Sequence, residues 1–256
     1  DLYYKILIYY KYMYTRVDYK NTINKDGFLK LENFFDAGEI STLRKFVDKK
    51  LKENRNQYFF LTSEGKEKNL LNDPIFFNKI EKLLKRITGN FGYKIRKKES
   101  LYKVLRVVTG KKSKRVSLDY HFDAHLLTLL IPIYIPNKRD SDNGNLIIFK
   151  NLRKISTNIL MNILQKLFYQ SKLFKFFFVN TGVVKSKVLS LKPGNAYIFN
   201  GFRTLHTNLN INPRDVRATI LVHYYDVFRD SYLVKKNREI RIKKEIKNIE
   251  KNKIRS

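Results

Sequence analysis

The chain changes texture near residue 100. Before it, apolar side chains recur at helical spacing; after it, they come in short runs separated by turn residues. In DAGEISTLRKFVDKKL, Ile40, Leu43, Phe46, Val47 and Leu51 mark one face of a helix. Asp36 stands at the N-cap position, with Glu39 three residues on as in a capping box. A second helix is predicted over 75–88, opening after Asn72-Asp73-Pro74. Within INKDGFLKLENFF, a turn at Asp26-Gly27 precedes a short strand.

From residue 101 the runs LYKVLRVVT, RVSLDYHF, LLTLLIPIYI, NLIIF, FKFFFVN, KVLSL, NAYIF and ATILVHYYDVF read as strands. Turns at Thr109-Gly110, Asp142-Asn143-Gly144, Thr181-Gly182 and Pro193-Gly194 separate several of them. One helix, over 156–171, interrupts the series with Ile159, Leu160, Ile163, Leu164, Leu167 and Phe168 at helical spacing. The pattern predicts a mainly β domain with flanking helices, folded as a two-sheet sandwich or jelly roll. The expected organisation is an N-terminal extension over 1–22, a main domain over 23–230, and a basic C-terminal helix or tail over 231–256.

The first residues, DLYYKILIYYKYMY, are apolar and aromatic but broken by Lys5 and Lys11. They fall short of the ~20 residues a membrane-spanning helix needs. No small-residue cleavage site follows, so neither a span nor an export signal is expected. A hydrophobic content of 43% in 256 residues is ample for a buried core. Cysteine is absent, which excludes disulfides, thiolate zinc sites and cysteine nucleophiles and suits a reducing cytoplasm, the expected compartment. The net charge of +30 invites a polyanionic partner. Yet Lys, Asn, Ile and Tyr are abundant throughout, as codon bias from an AT-rich genome would produce, and basic residues cluster only near the C-terminus.

Candidate chemistry centres on four histidines: His121, His125, His206 and His223. His121 and Asp123 flank Phe122 in YHFD, and positions i and i+2 at a strand end share a face. His206, in TLHTN, is the candidate third ligand. Two histidines and one carboxylate on one face of an octahedron leave three positions open, the arrangement of iron(II) oxygenases. A lone H-x-D is common by chance; the surroundings of His206 add weight. A Pro-Gly turn and an apolar strand precede it in LKPGNAYIFNGFRTLHTN, and Arg217 follows at 217 − 206 = 11 positions. A buried Arg217 can pair bidentately with a distal carboxylate, and Thr219, two residues on, can add a hydroxyl.

Taken together, residues 23–226 resemble the phytanoyl-CoA-dioxygenase-like branch of the 2-oxoglutarate/iron(II) oxygenases, a double-stranded β-helix superfamily. The resemblance rests on DGFLKLENFFDAGEISTLRKFV, the HFD motif followed by LLTLLIPIYIP, GNLIIF, PGNAYIF and the His206/Arg217 pair. It implies that His121, Asp123 and His206 are catalytic iron(II) ligands and that Arg217 and Thr219 bind 2-oxoglutarate. It further implies that dioxygen and a small-molecule or lipid-like substrate complete the reaction, usually a hydroxylation. Retention of Asp123 disfavours halogenation, because relatives that bind chloride replace that carboxylate. The competing reading is a nucleic-acid or polyanion-binding jelly roll without catalysis, its basic tail the active feature. The 156–171 helix and the tail lie outside the shared pattern.

Other residues have plainer readings. His125 either faces the same cleft or solvent, and His223 in LVHYYD suits a core or surface position. Tyr102 and Arg106 lie on a strand where relatives place a 2-oxoglutarate or substrate contact. Phe174, Phe176, Phe177 and Phe178 read as core packing. The sequence does not indicate an oligomeric state.

Overall fold

A computed structural model describes residues 18–64, 70–92, 99–110, 113, 117–137 and 143–255. The apolar run at the start of the chain, most of the expected 1–22 extension and Asp142 lie outside the described residues.

The chain opens with α1 (Tyr19–Asp26), β1 (Phe28–Leu31) and α2 (Ala37–Glu53). Asp26-Gly27 is therefore a helix end, not a free-standing turn. Gly27 adopts φ 84° as its left-handed cap and returns its amide to Ile23. The helix before it escaped the sequence because YKNTINKD buries only Tyr19 and Ile23, too few to set a period. At α2 the capping box forms as expected, with Asp36 accepting from the Glu39 amide and Glu39 accepting from the Asp36 amide. Losing such a cap costs about 0.5–2 kcal/mol. Ile40, Leu43, Val47 and Leu51 bury its inner face, while Phe46 packs at the edge.

β2 (Phe59–Thr62), α3 (Pro74–Asn90) and β3 (Tyr102–Val108) follow. Then come β4 (His125–Tyr134), β5 (Leu146–Phe149) and α4 (Ile159–Gln170). The chain closes with β6 (Lys187–Leu189), β7 (Ala196–Phe199), β8 (Leu205–Asn208), β9 (Arg217–Asp226) and the long α5 (Tyr232–Arg255). Strand β2 was not foreseen. Two other expectations are overturned. FKFFFVN is helical, a short turn over Lys172–Phe174 running into a π-helix over Lys175–Val179. The described part of RVSLDYHF forms no strand beyond an isolated bridge at His121. The reason for the first is local: Ser171 caps the turn by accepting the Phe174 amide, and a run of bulky aromatics fits a helix as readily as a strand when only one of its rings is buried.

Among the described residues the strands form two sheets, one ordered β1-β7-β4-β9-β3-β2 and the other β6-β5-β8. All pairings between them are antiparallel. The architecture is a jelly-roll sandwich with α1, α2 and α3 packed on the larger sheet and the insert that contains α4 packed against the smaller one. Alternation along the central strands divides the side chains cleanly. Leu127, Leu129, Ile131, Ala218, Ile220, Val222 and Tyr224 face α2 and α3 in the main core. The opposite face of the same strands supplies Leu130, Tyr197 and Phe199, which meet Leu146, Ile148 and Leu189 of the smaller sheet. Fully burying an aliphatic or aromatic side chain contributes about 1.5–3 kcal/mol, so both interfaces contribute heavily. On β9 the residues sharing the inner face are Arg217, Thr219, Leu221 and His223. A polar row thus runs along the inside of an otherwise apolar sandwich.

Candidate metal centre

His121 and His206 are brought together by backbone pairing. They form an isolated antiparallel bridge in which each amide donates to the other's carbonyl at 3.0 Å. Their rings lie 4.4 Å apart. Each ring is also oriented from behind. His121 Nδ1 lies 2.8 Å from the Asp119 carbonyl, and His206 Nδ1 lies 3.0 Å from the Thr204 carbonyl. A carbonyl can only accept, so Nδ1 of each ring carries a proton and Nε2 is the nitrogen left to bind an ion.

Asp123 is presented by a loop rather than a strand end, correcting the sequence expectation for YHFD. Its amide donates to the Gly201 carbonyl at 3.0 Å. The preceding Phe122 turns the other way and is buried beside Phe149, Phe174 and Leu205. The Thr128 hydroxyl donates to Asp123 Oδ2 at 2.5 Å and lies 3.1 Å from His223 Nδ1. Since that hydroxyl proton is committed to the carboxylate, Nδ1 of a neutral His223 is the donor in the second contact. Burial works to raise the Asp123 pKa, but His206, His223, His121 and the Thr128 hydroxyl together hold it well below the usual carboxylate range. His121 is pushed down to about 4, by burial first and by His206 next.

One ligand atom from each of His121, Asp123 and His206 can be chosen so that all three lie within 4.8 Å of one another. Two imidazole nitrogens and a carboxylate oxygen are the donor chemistry of a first-row divalent metal, and three donors would leave further coordination positions for other ligands. The residues present fit such an ion.

Arg217 and Thr219 occupy the same inner face of β9, further along the strand. Arg217 is 3% exposed, Thr219 0%. Arg217 Nε donates to the Gly144 carbonyl at 2.6 Å and Nη1 to Thr219 Oγ1 at 3.3 Å. Gly144, at φ 67°, is required here, because a Cβ would lie 2.6 Å from Arg217 Cδ. Burial, and then the nearby Arg106, pull the Arg217 pKa down to about 9. Among the described residues no carboxylate pairs with it, an expensive arrangement for a buried cation unless an anion is to be received.

Tyr102 and Arg106 line the same face of β3, opposite His223 and Thr219 in register. Tyr102 stacks on His125 and His223, each at 5.9 Å. His125 is 7% exposed, which closes the solvent-facing alternative, and burial and His223 push its pKa down to about 3. His223 lies 3.8 Å from Asp123 Oδ2 and belongs to the surroundings of the centre.

Sequence reasoning missed Thr128, Gly201 and Arg153. Arg153 is 3% exposed, with its guanidinium 4.2 Å from the Phe122 ring and 3.9 Å from that of Phe202. It donates to the carbonyls of Phe202 and Asp123 and, at 2.6 Å, to Asn162 Oδ1 of α4. No local pattern marks such a residue; only the packing does.

No family model matches the chain, and no curated protein matches it. Solved structures do share its fold. A prolyl-4-hydroxylase from Pseudomonas putida superposes with a TM-score of 0.52 at 8% identity, over 81% of this chain and 96% of that one. A prolyl hydroxylase from Trichoplax adhaerens, solved with a hypoxia-inducible-factor peptide, gives 0.52 at 15% identity over 81% and 87%. The α-ketoglutarate-dependent carbocyclase SnoK of nogalamycin biosynthesis gives 0.51 at 14% identity over 78% and 80%.

Proposed function

We propose that this chain is an iron(II)- and 2-oxoglutarate-dependent oxygenase, with His121, Asp123 and His206 as ligands and Arg217 and Thr219 as the co-substrate grip. The observation that carries the reading is a convergent His-Asp-His donor set that meets one end of the polar row of β9 at His223, with a buried arginine that has no carboxylate partner among the described residues at the row's other end. The fold shared with prolyl hydroxylases and SnoK supports it.

Ferrous iron, when bound, supplies the activation of dioxygen that couples oxidation of 2-oxoglutarate to succinate and carbon dioxide with oxidation of a substrate carbon. The protein's part is positional. His121 and His206 offer Nε2 because Asp119 and Thr204 hold their Nδ1 protons. Thr128 steadies one oxygen of Asp123. Arg217 offers two donors to a terminal carboxylate, and Thr219, which accepts from Arg217, keeps its own hydroxyl proton to donate to the same group. Phe199, whose ring lies 4.9 Å from that of His206, is backed by the buried cluster of Leu130, Leu146, Ile148 and Tyr197, which keeps that side of the imidazole dry and strengthens these contacts.

The domain proposed to do this is 23–230. Its substrate is proposed to be a small or lipid-like molecule, hydroxylated as in the phytanoyl-CoA-dioxygenase-like branch. A reducing cytoplasm, which preserves ferrous iron, is the proposed compartment. The test is succinate formation from 2-oxoglutarate by the full chain with and without iron(II). Asp123→Ala is expected to fall to the chelator-treated background. Turnover undiminished in that folded variant rejects the ligand assignment.

A further inference from the structure

Helix α4 is inside out. Leu160, Ile163, Leu164, Leu167 and Phe168 form the apolar stripe that periodicity assigns to the core, yet each faces solvent, from 47% exposed at Ile163 to 66% at Leu160 and Leu167. The inward side instead carries Asn162, held by Arg153. The adjoining turn and π-helix continue the surface with Leu173, Phe176 and Phe177, at 69%, 62% and 55%. Only Phe174 is buried, anchoring the insert against Phe122 and Phe149. So many exposed apolar side chains within one short insert of a folded domain mark a docking face.

The charges around it identify what docks. Between Asp142 and Asp215 the sequence contains no Asp or Glu, while Lys and Arg recur throughout. Lys154, Lys172 and Lys185 are exposed, and Lys175 lies between Phe174 and Phe176. A second copy of the chain would bring this cationic surface against itself, at a cost in like-charge repulsion. A nucleic acid would use the lysines but leave the leucines and phenylalanines unburied. Exposed Leu and Phe flanked by Lys, with no acid among them, is the complement of an anionic lipid surface, where rings enter the acyl boundary and ammonium groups meet headgroups. We propose that residues 159–185 dock this protein on an anionic phospholipid bilayer, lying in its interface without crossing it. No helix of the described residues is long and apolar enough to cross a membrane. The proposal does not depend on the oxygenase reading.

The experiment is cosedimentation of the full chain with phosphatidylcholine vesicles, and with the same vesicles carrying a third phosphatidylserine. The wild type is expected to bind the anionic vesicles, and less tightly as salt rises. Phe176→Ser/Phe177→Ser and, separately, Leu160→Ser/Leu164→Ser are each expected to weaken that binding at least about tenfold. Lys172→Glu/Lys185→Glu is expected to weaken it and flatten its salt dependence. All substituted positions in the docking face are exposed, and unchanged circular dichroism and melting confirm the fold of each variant. Wild-type binding by both apolar variants overturns the proposal, since the net charge alone would then explain adsorption. It is equally overturned if the wild type ignores anionic vesicles, or if it is a dimer that the apolar variants convert to monomer.

Discussion

The carbonyl of Gly201 accepts the amide proton of Asp123 at 3.0 Å, and only a glycine permits that approach. A Cβ at position 201 would lie 2.5 Å from Asp123 Oδ2 and closer still to Thr128 Oγ1. Gly201→Ala is therefore expected to displace the carboxylate while sparing both cores. Calorimetric titration with iron(II) or manganese(II) should show affinity lowered roughly 10–100-fold, the usual effect of disturbing a group that orients a ligand. Unaltered affinity would mean that the loop adjusts without moving Asp123.

At the other end of the polar row, Arg217→Met should separate co-substrate from metal. Loss of a buried, hydrogen-bonded cation from a charge pair costs about 2 kcal/mol or more, which is about a 30-fold rise in the KM for 2-oxoglutarate. Metal affinity should stay within a factor of about two, because Arg217 touches Gly144 and Thr219 and none of the three proposed ligands. A KM that does not move rejects the assigned role.

Acid should destabilise the metal-free protein well above the carboxylate range. His125 is held near 3, chiefly by burial, so the unfolded chain, with a histidine near 6.5, takes up the proton first as pH falls. Stability is therefore full above about pH 6.5 and drains away as pH drops towards 3. His223 and His121, both lowered by burial, add to the same slope. Melting temperatures between about pH 7.5 and 4.5 should fall steadily, and His125→Gln should reduce the gradient without abolishing it.

The basic helix α5 is tied to the domain near its start, where Arg238 Nη2 meets Asp226 Oδ2 at 2.7 Å. Truncation after Asp230 removes that pair. We expect a melting temperature a few degrees lower, retained oxidation of 2-oxoglutarate, and a drop in any DNA affinity together with its salt dependence. Folded but inactive truncated protein would place α5 in the active site and move the domain boundary.

What the sequence made legible follows from how local each signal is. Asp36 and Glu39 interact within one turn, so their capping box could be read directly, as could the strand that begins at Arg217. His206 and Arg217 share a short segment, and both are buried in the fold. By contrast, the orientation of α4 could not be read, because periodicity reports that a helix has an apolar face and says nothing about where that face points. Phe176 and Phe177 were assigned to the core on hydrophobicity alone; their exposure reflects Phe174 taking the inward position. Arg153 and Gly201 act on Asp123 from 30 and 78 positions away, beyond any local window, and Thr128, only 5 away, meets it because the chain turns from loop to strand between them.

The guanidinium of Arg153 has a consequence of another kind. By gripping Asn162 on α4 and the Asp123 carbonyl at once, it joins the outward-facing insert and the carboxylate loop into one mechanical unit. Two equilibria that share such a part can be coupled, and any coupling between them is mutual by thermodynamic necessity. Whatever factor occupancy of the metal centre imposes on the docking face, occupancy of that face returns to the metal. On the two proposals made above, the place where the molecule rests would enter the affinity of the metal centre.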